Sequence, residues 1–185
     1  MIRHLPNLLS GLRVLAAPLA AWLILAGHDS AALALFAAAG FSDAADGFIA
    51  RRWGFTSHFG AWLDPLADKL LMLCCFLALL WIGMTPRWLV TLVILRDLAI
   101  MAGWLLSWRL ALSLPIRPLA IGKAATLVQI GYIGLMLLLL AFDLSLPNLA
   151  LAAAVAAGLF TILSGAAYAG LFLRALLAPR FTGAR

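Results

Sequence analysis

The chain has 185 residues, 66% of them hydrophobic and only 11% charged, and its mean hydropathy is +1.11. A soluble domain is nearer half apolar and about a quarter charged, so an ordinary water-soluble enzyme is excluded and lipid must be the solvent for most of the surface. The net charge of +6 sits near the ends of apolar runs, where it reports topology and attraction to anionic lipid, not a nucleic-acid partner.

In chain order, apolar runs predict helices near Leu8–Ala26, Ala31–Ala50, Ala61–Ile82, Arg87–Trp108, Gly122–Phe142 and Leu149–Leu173. Each is close to the roughly 20 residues that cross a hydrocarbon core. The first run reads as a membrane span and not a cleaved signal or transit peptide, because it is long, apolar, interrupted by Arg13 and followed by further spans. Turn residues mark the breaks: Gly27-His28-Asp29, Trp53-Gly54, Gly83 to Pro86, Pro115 to Pro118 and Asp143 to Asn148. No linker, repeat or low-complexity tract divides the chain, so residues 1–185 are expected to form one all-α polytopic membrane domain with six transmembrane helices.

Positive charge gives a direction. Arg3 and Arg13, Arg51 and Arg52, Arg109, Arg117 and Lys123, and Arg174, Arg180 and Arg185 fall on one side of the alternating runs, and only Arg87 on the other. Both termini are therefore expected in the cytoplasm, with the end of the second span and the start of the third at the cytoplasmic face. Alanine- and arginine-rich composition points to a bacterial inner membrane.

All seven acidic residues are Asp, and four of them, Asp43, Asp46, Asp64 and Asp68, fall in one short stretch. An acid within a span is costly and is a functional hypothesis by default. Asp43 and Asp46 are spaced i, i+3, and Asp64 and Asp68 i, i+4, so each pair shares a helix face. The linker between them is short, so the second and third spans are expected as antiparallel neighbours with their carboxylates facing. Such carboxylates need cations in low dielectric. No His or Cys joins them at ligand spacing, so the all-oxygen set selects Mg²⁺ or Mn²⁺ over zinc, and two ions would suit an in-line displacement. Gly47, Ala50 and Gly60 leave room for a bulky ligand, and Arg51 can hold a phosphate.

Other residues carry plainer readings. A proton or ion pathway also buries carboxylates, and a non-catalytic membrane scaffold is a third class. Cys74 and Cys75 are adjacent and point apart on a helix, so they read as packing or lipid-facing residues. Arg13 is either a snorkelling residue or an active-site contact. Lys69 either reports topology or modulates Asp68. Asn7 and Ser10 are candidate helix caps. His58 lies near the cluster, but the histidines read as interfacial. Asp29 and Asp143 read as solvated charges.

Written out, Asp43-Ala-Ala-Asp46-Gly47-Phe-Ile-Ala50-Arg51, eight residues, then Gly60-Ala-Trp-Leu-Asp64-Pro-Leu-Ala-Asp68 matches D-x2-D-G-x2-A-R-x8-G-x3-D-x3-D. This resembles the signature of the CDP-alcohol phosphatidyltransferases. The segment Pro6-Asn-Leu-Leu-Ser-Gly-Leu-Arg13, with Pro18 beyond, looks like the same family's N-terminal segment. The resemblance implies that Asp43, Asp46, Asp64 and Asp68 bind two divalent ions and that Asp68 is also the general base. It implies a CMP pocket lined by Gly47, Ala50, Arg51 and Gly60. The implied reaction transfers a phosphatidyl group from CDP-diacylglycerol to an alcohol, and family members are commonly homodimers. Arg96-Asp97 in the fourth span looks most like the CMP-forming cardiolipin synthases, which implies phosphatidylglycerol as acceptor. The phosphatidylglycerophosphate synthases, which use glycerol 3-phosphate, usually carry Arg-Glu there and a second Arg-Glu-Trp that this chain lacks. Arg96, Arg117 and Lys123 are candidate ligands for the acceptor's phosphate, and Arg96 needs an anion, either Asp97 or a lipid phosphate.

Overall fold

A computed structural model describes the backbone of residues 5–53, 58–110 and 119–177, and side chains at 11, 13–42, 68–110 and 119–177. The described residues form six helices: α1 (Leu5–Leu25), α2 (Asp29–Trp53), α3 (His58–Trp81), α4 (Arg87–Arg109), α5 (Ala120–Ala141) and α6 (Pro147–Leu177). The apolar runs located every helix. Asn7 and Ser10, the candidate caps, fall within the backbone of α1, and their side chains lie outside the described residues. Among the described residues α4, α5 and α6 are long and apolar enough to cross a membrane. Large apolar side chains such as Leu95, Met101, Trp104, Leu127 and Leu159 are exposed on the outside of the bundle, as lipid requires.

Three turns on one side of the bundle share a mechanism. Gly27, Gly83 and Asp143 all have positive φ, at 74°, 80° and 50°. After each, the next amide reaches back to the last helical turn: His28 N–H to Leu23 O at 2.9 Å, Met84 N–H to Leu79 O at 2.9 Å, and Leu144 N–H to Leu139 O at 2.8 Å. This is the Schellman stop, which satisfies orphan carbonyls at a helix C-terminus. Glycine adopts that backbone without strain, whereas Asp143 must tolerate it. These ends of α1, α3 and α5 lie together, and Asp29, Gly83, Met84, Asp143 and Pro147 line a cavity of about 390 Å³ there.

The core runs through the middle of the helices. Phe76 and Leu79 from α3, Ile133, Met136 and Leu137 from α5, and Ile24 from α1 are almost fully buried. Ala17 and Ala20 are buried on α1, whose broadest contact is with α3, and small residues there let two backbones approach. The α4–α6 seam depends on the same device. Gly158 of α6 receives Trp88 of α4, and a Cβ on Gly158 would lie 2.6 Å from the indole.

The expectation that α2 and α3 are antiparallel neighbours concerns the linked ends of the two helices. Among the described residues α2 packs on α1 and α5, and α3 packs on α1, α4 and α5, but α2 and α3 do not meet. Both helices pack on α1. The facing ends of α2 and α3, where the aspartates lie, fall outside the described side chains.

Candidate active site

The described part of the site is a line of charged and polar side chains crossing the α1–α3–α4–α6 seams. Arg13 of α1 is 3% exposed and its guanidinium donates to Asp68 Oδ1 of α3 at 2.6 Å. The Asp68 side chain is 41% exposed, so the carboxylate is paired with a buried cation while remaining partly accessible. Arg13 is therefore a contact of the candidate base, not a snorkelling residue. Its placement follows from the alanine face of α1, which brings the arginine up against α3.

One residue further along α3, Lys69 points toward α4 and donates from Nζ to Asp97 Oδ2 at 2.5 Å. The other oxygen of that carboxylate accepts from Arg96, NH1 to Oδ1 at 2.7 Å. Arg96 is buried, with Nε and NH2 donating to Ser164 Oγ at 3.1 and 2.6 Å. Its NH2 also reaches the Gly122 carbonyl in the first turn of α5, at 3.4 Å. The guanidinium lies 5.9 Å from the centre of the Tyr168 ring, within cation–π range. Tyr168 is fixed in turn, its hydroxyl accepting from the Leu119 amide at 3.2 Å. Gly122 is needed beside it, since a Cβ would stand 2.9 Å from the ring and the hydroxyl.

Asp97 is thus the anion that Arg96 requires. Arg96 lies near the middle of α4 and is level with the first turn of α5. Lys123 is exposed in the first turn of α5, close to the Gly122 carbonyl that Arg96 reaches. Asp43, Asp46, Gly47, Ala50 and Arg51 belong to the C-terminal part of α2, and Gly60 and Asp64 to the first turns of α3. Their side chains lie outside the described residues, and Arg117 lies outside them altogether. Among the described residues no group of three metal-ligating side chains occurs.

Sequence reasoning did not find Ser164, Tyr168 or Gly122. The available signal was weak: a Ser and a Tyr spaced i, i+4 in an apolar helix share a face, but neither carries charge. A neutral polar column runs beyond them. Thr161 donates to Ala157 O at 2.7 Å and accepts from Gln129 at 2.8 Å, and Tyr132 donates to Thr85 at 3.2 Å. This column joins α5, α6 and the turn before α4 and holds no Asp among the described residues.

Sequence comparison gives the family. A model of the CDP-alcohol phosphatidyltransferase family matches residues 3–164. A "Cardiolipin synthase (CMP-forming) / mitochondrial hydrolase fusion protein" of Schizosaccharomyces pombe is 37% identical over 183 residues, covering 89% of this chain and 30% of the relative. A "Probable cardiolipin synthase (CMP-forming)" of Drosophila melanogaster is 34% identical over 155 residues, covering 74% of this chain and 47% of the relative. A "Probable phosphatidylglycerophosphate synthase" of Mycobacterium tuberculosis is 36% identical over 184 residues, covering 94% of this chain and 83% of the relative. The chain spans less than half the length of the first two relatives and most of the third.

Proposed function

We propose, from the premise that the chain belongs to the CDP-alcohol phosphatidyltransferase family, that it transfers the phosphatidyl group of CDP-diacylglycerol to the free hydroxyl of phosphatidylglycerol, giving cardiolipin and CMP. The observation that carries this reading is the aspartate motif from Asp43 to Asp68, which lies inside the region matched by the family.

In the proposed reaction Asp68 takes the proton of the acceptor hydroxyl as its oxygen attacks the β-phosphorus. A new P–O bond forms to the acceptor, the P–O bond to CMP breaks, and CMP leaves as an anion. A base must lie within hydrogen-bond reach of the proton it removes, and Asp68 is half open to that approach. Arg13 holds one carboxylate oxygen and orients the other. Gly47, Ala50, Arg51 and Gly60 are proposed to line the CMP pocket, the small residues admitting the nucleotide and Arg51 pairing with a phosphate. Arg96, Arg117 and Lys123 are proposed to supply positive charge on the acceptor side.

The donor set suits two Mg²⁺ or Mn²⁺ ions. It is made of carboxylates alone, and its one described member, Asp68, is paired with an arginine 2.6 Å away. Asp43, Asp46, Asp64 and Asp68 would hold the ions, which when bound would neutralise charge on the phosphate oxygens. The same reading takes residues 1–185 as one domain of six spans, with both termini and the site at the cytoplasmic face of a bacterial inner membrane, and the protein as a homodimer.

A second acceptor has a specific observation in its favour. The M. tuberculosis relative, which carries the phosphatidylglycerophosphate synthase name, is covered over 83% of its length, which favours glycerol 3-phosphate. One experiment separates the two. Purified protein with Mg²⁺ or Mn²⁺ is given CDP-diacylglycerol and either phosphatidylglycerol or glycerol 3-phosphate, and CMP is measured. Release with phosphatidylglycerol alone is expected. Release with glycerol 3-phosphate alone would replace the acceptor, and no release with either would end the reading.

A further inference from the structure

The geometry points to Lys69 as the residue that receives the acceptor's phosphate, held for that task by the Arg96–Asp97 pair. This rests on the phosphatidyltransferase reading and deepens it.

Donor arithmetic leads there. A guanidinium has five N–H groups. Those of Arg96 are shared among Ser164, Gly122 O and Asp97, and its face is covered by Tyr168. Arg96 is buried, with four of its five N–H groups engaged. Lys69 is different: it has three N–H groups, one used on Asp97, and its side chain is 43% exposed. Of the two cations in this group, Lys69 is the exposed one, and it can turn toward an incoming anion without giving up its contact to Asp97.

Charge arithmetic agrees. Asp97 gives one oxygen to Arg96 and the other to Lys69, so among the described residues two cations share one carboxylate and the group keeps a surplus positive charge. Such a surplus beside lipid is costly unless an anion meets it. A phosphodiester carries one negative charge and would balance it.

Position is the third strand. Lys69 follows Asp68 directly, and their side chains diverge around α3, Asp68 toward α1 and Lys69 toward α4. In either candidate acceptor the attacking hydroxyl and the phosphate are separated by a glycerol backbone. An acceptor lying across this turn of α3 would present its hydroxyl to Asp68 and its phosphate to Lys69. Arg96 and Asp97 are then positioning residues: Ser164, Tyr168 and Gly122 fix Arg96, Arg96 fixes Asp97, and Asp97 aims the ammonium.

The test is the kinetics of the purified full chain with phosphatidylglycerol and glycerol 3-phosphate offered separately. Lys69→Gln is expected to raise the KM of the acceptor that is used about ten- to a hundredfold, as loss of a charged hydrogen bond does, with kcat within about threefold and the KM for CDP-diacylglycerol unchanged. Lys69→Arg is expected to restore most of the loss. If Lys69→Gln does not yield folded protein, Asp97→Asn keeps the charge of Lys69 but frees it, and should raise the same KM about three- to tenfold. An acceptor KM equal to wild type, or a change confined to the KM for CDP-diacylglycerol, overturns the assignment and leaves Lys69 as a topological anchor. A wild-type protein that turns over neither acceptor overturns this assignment and the phosphatidyltransferase reading together.

Discussion

Asp68 and Asp97 lie inside helices, and each accepts from a cation on another helix, Arg13 at 2.6 Å and Lys69 at 2.5 Å. Asp29 and Asp143 lie at turns on the other side of the bundle and line a cavity there, and among the described residues neither forms an ion pair. The same side chain therefore serves two ends differently. At a helix seam, burial makes an unpaired carboxylate expensive, so the fold supplies cations and fixes their geometry. At a turn, water screens the charge and little depends on it. Acidic residues in a membrane protein are thus sorted by the seam they occupy, not by their number.

The sharpest way to break this contrast is Asp68→Asn. If Asp68 is the base, the amide keeps the shape and loses the proton acceptor. Turnover is expected to fall about 10²- to 10⁴-fold, measured as CMP release, while CMP binding measured by calorimetry persists. Normal turnover would remove the base assignment and leave the paired end with no more chemistry than the other.

Arg13→Met comes next. It deletes a buried guanidinium and leaves Asp68 without that partner. Removing one member of a fully buried pair costs about 3–5 kcal/mol, but Asp68 is 41% exposed, so about 1–3 kcal/mol is the better expectation. Thermal unfolding in detergent should show the loss, and kcat should fall more than either KM changes. Arg13→Lys should recover part of both.

Gly158→Ala probes the fold away from charge. A Cβ 2.6 Å from Trp88 forces the α4–α6 seam apart. Overpacking of this kind costs about 1–3 kcal/mol, read as a lowered midpoint of unfolding. The acceptor KM should shift with it, because Arg96 and Ser164 face each other across the same seam. A stability loss with an untouched KM would show that the seam near Trp88 and the seam near Arg96 move independently.

How much of this was legible in the sequence follows from the same contrast. The helices were legible because apolar runs and turn residues act locally: Gly27 and Gly83 stop their helices through their own backbone angles. The identity of the charged residues was legible as well, since an Asp in an apolar run stands out. Their partners were not. Arg13 and Asp68 are 55 residues apart, and only the fit of the α1 alanines against α3 brings them together. The expectation that α2 and α3 are antiparallel neighbours concerns their linked ends, whose side chains lie outside the described residues. Ser164 and Tyr168 were invisible because a neutral hydroxyl in an apolar helix looks like ordinary composition until an arginine is placed against it.

The smallest expected effect belongs to the other end. Asp143 sits at φ 50°, a backbone that L-residues other than Asn, Asp and Gly rarely adopt. Its position is explained by the helix stop, in which the Leu144 amide reaches Leu139 O, and not by its charge. Asn tolerates the same backbone, so Asp143→Asn should leave the turn intact and change stability by no more than about 0.5 kcal/mol. Asp29→Asn removes a carboxylate from the first turn of α2, where a negative charge favours the helix dipole by about 0.3–1 kcal/mol, so a slight loss is expected there. With both substitutions CMP release should equal wild type. Val at 143 is the informative contrast, because a β-branched residue resists positive φ. Asp143→Val should lower the unfolding midpoint where Asp143→Asn does not, and so separate the demand of the backbone from that of the charge. A marked fall in turnover in the double Asn variant would mean that the carboxylates around the cavity do more than end and begin helices.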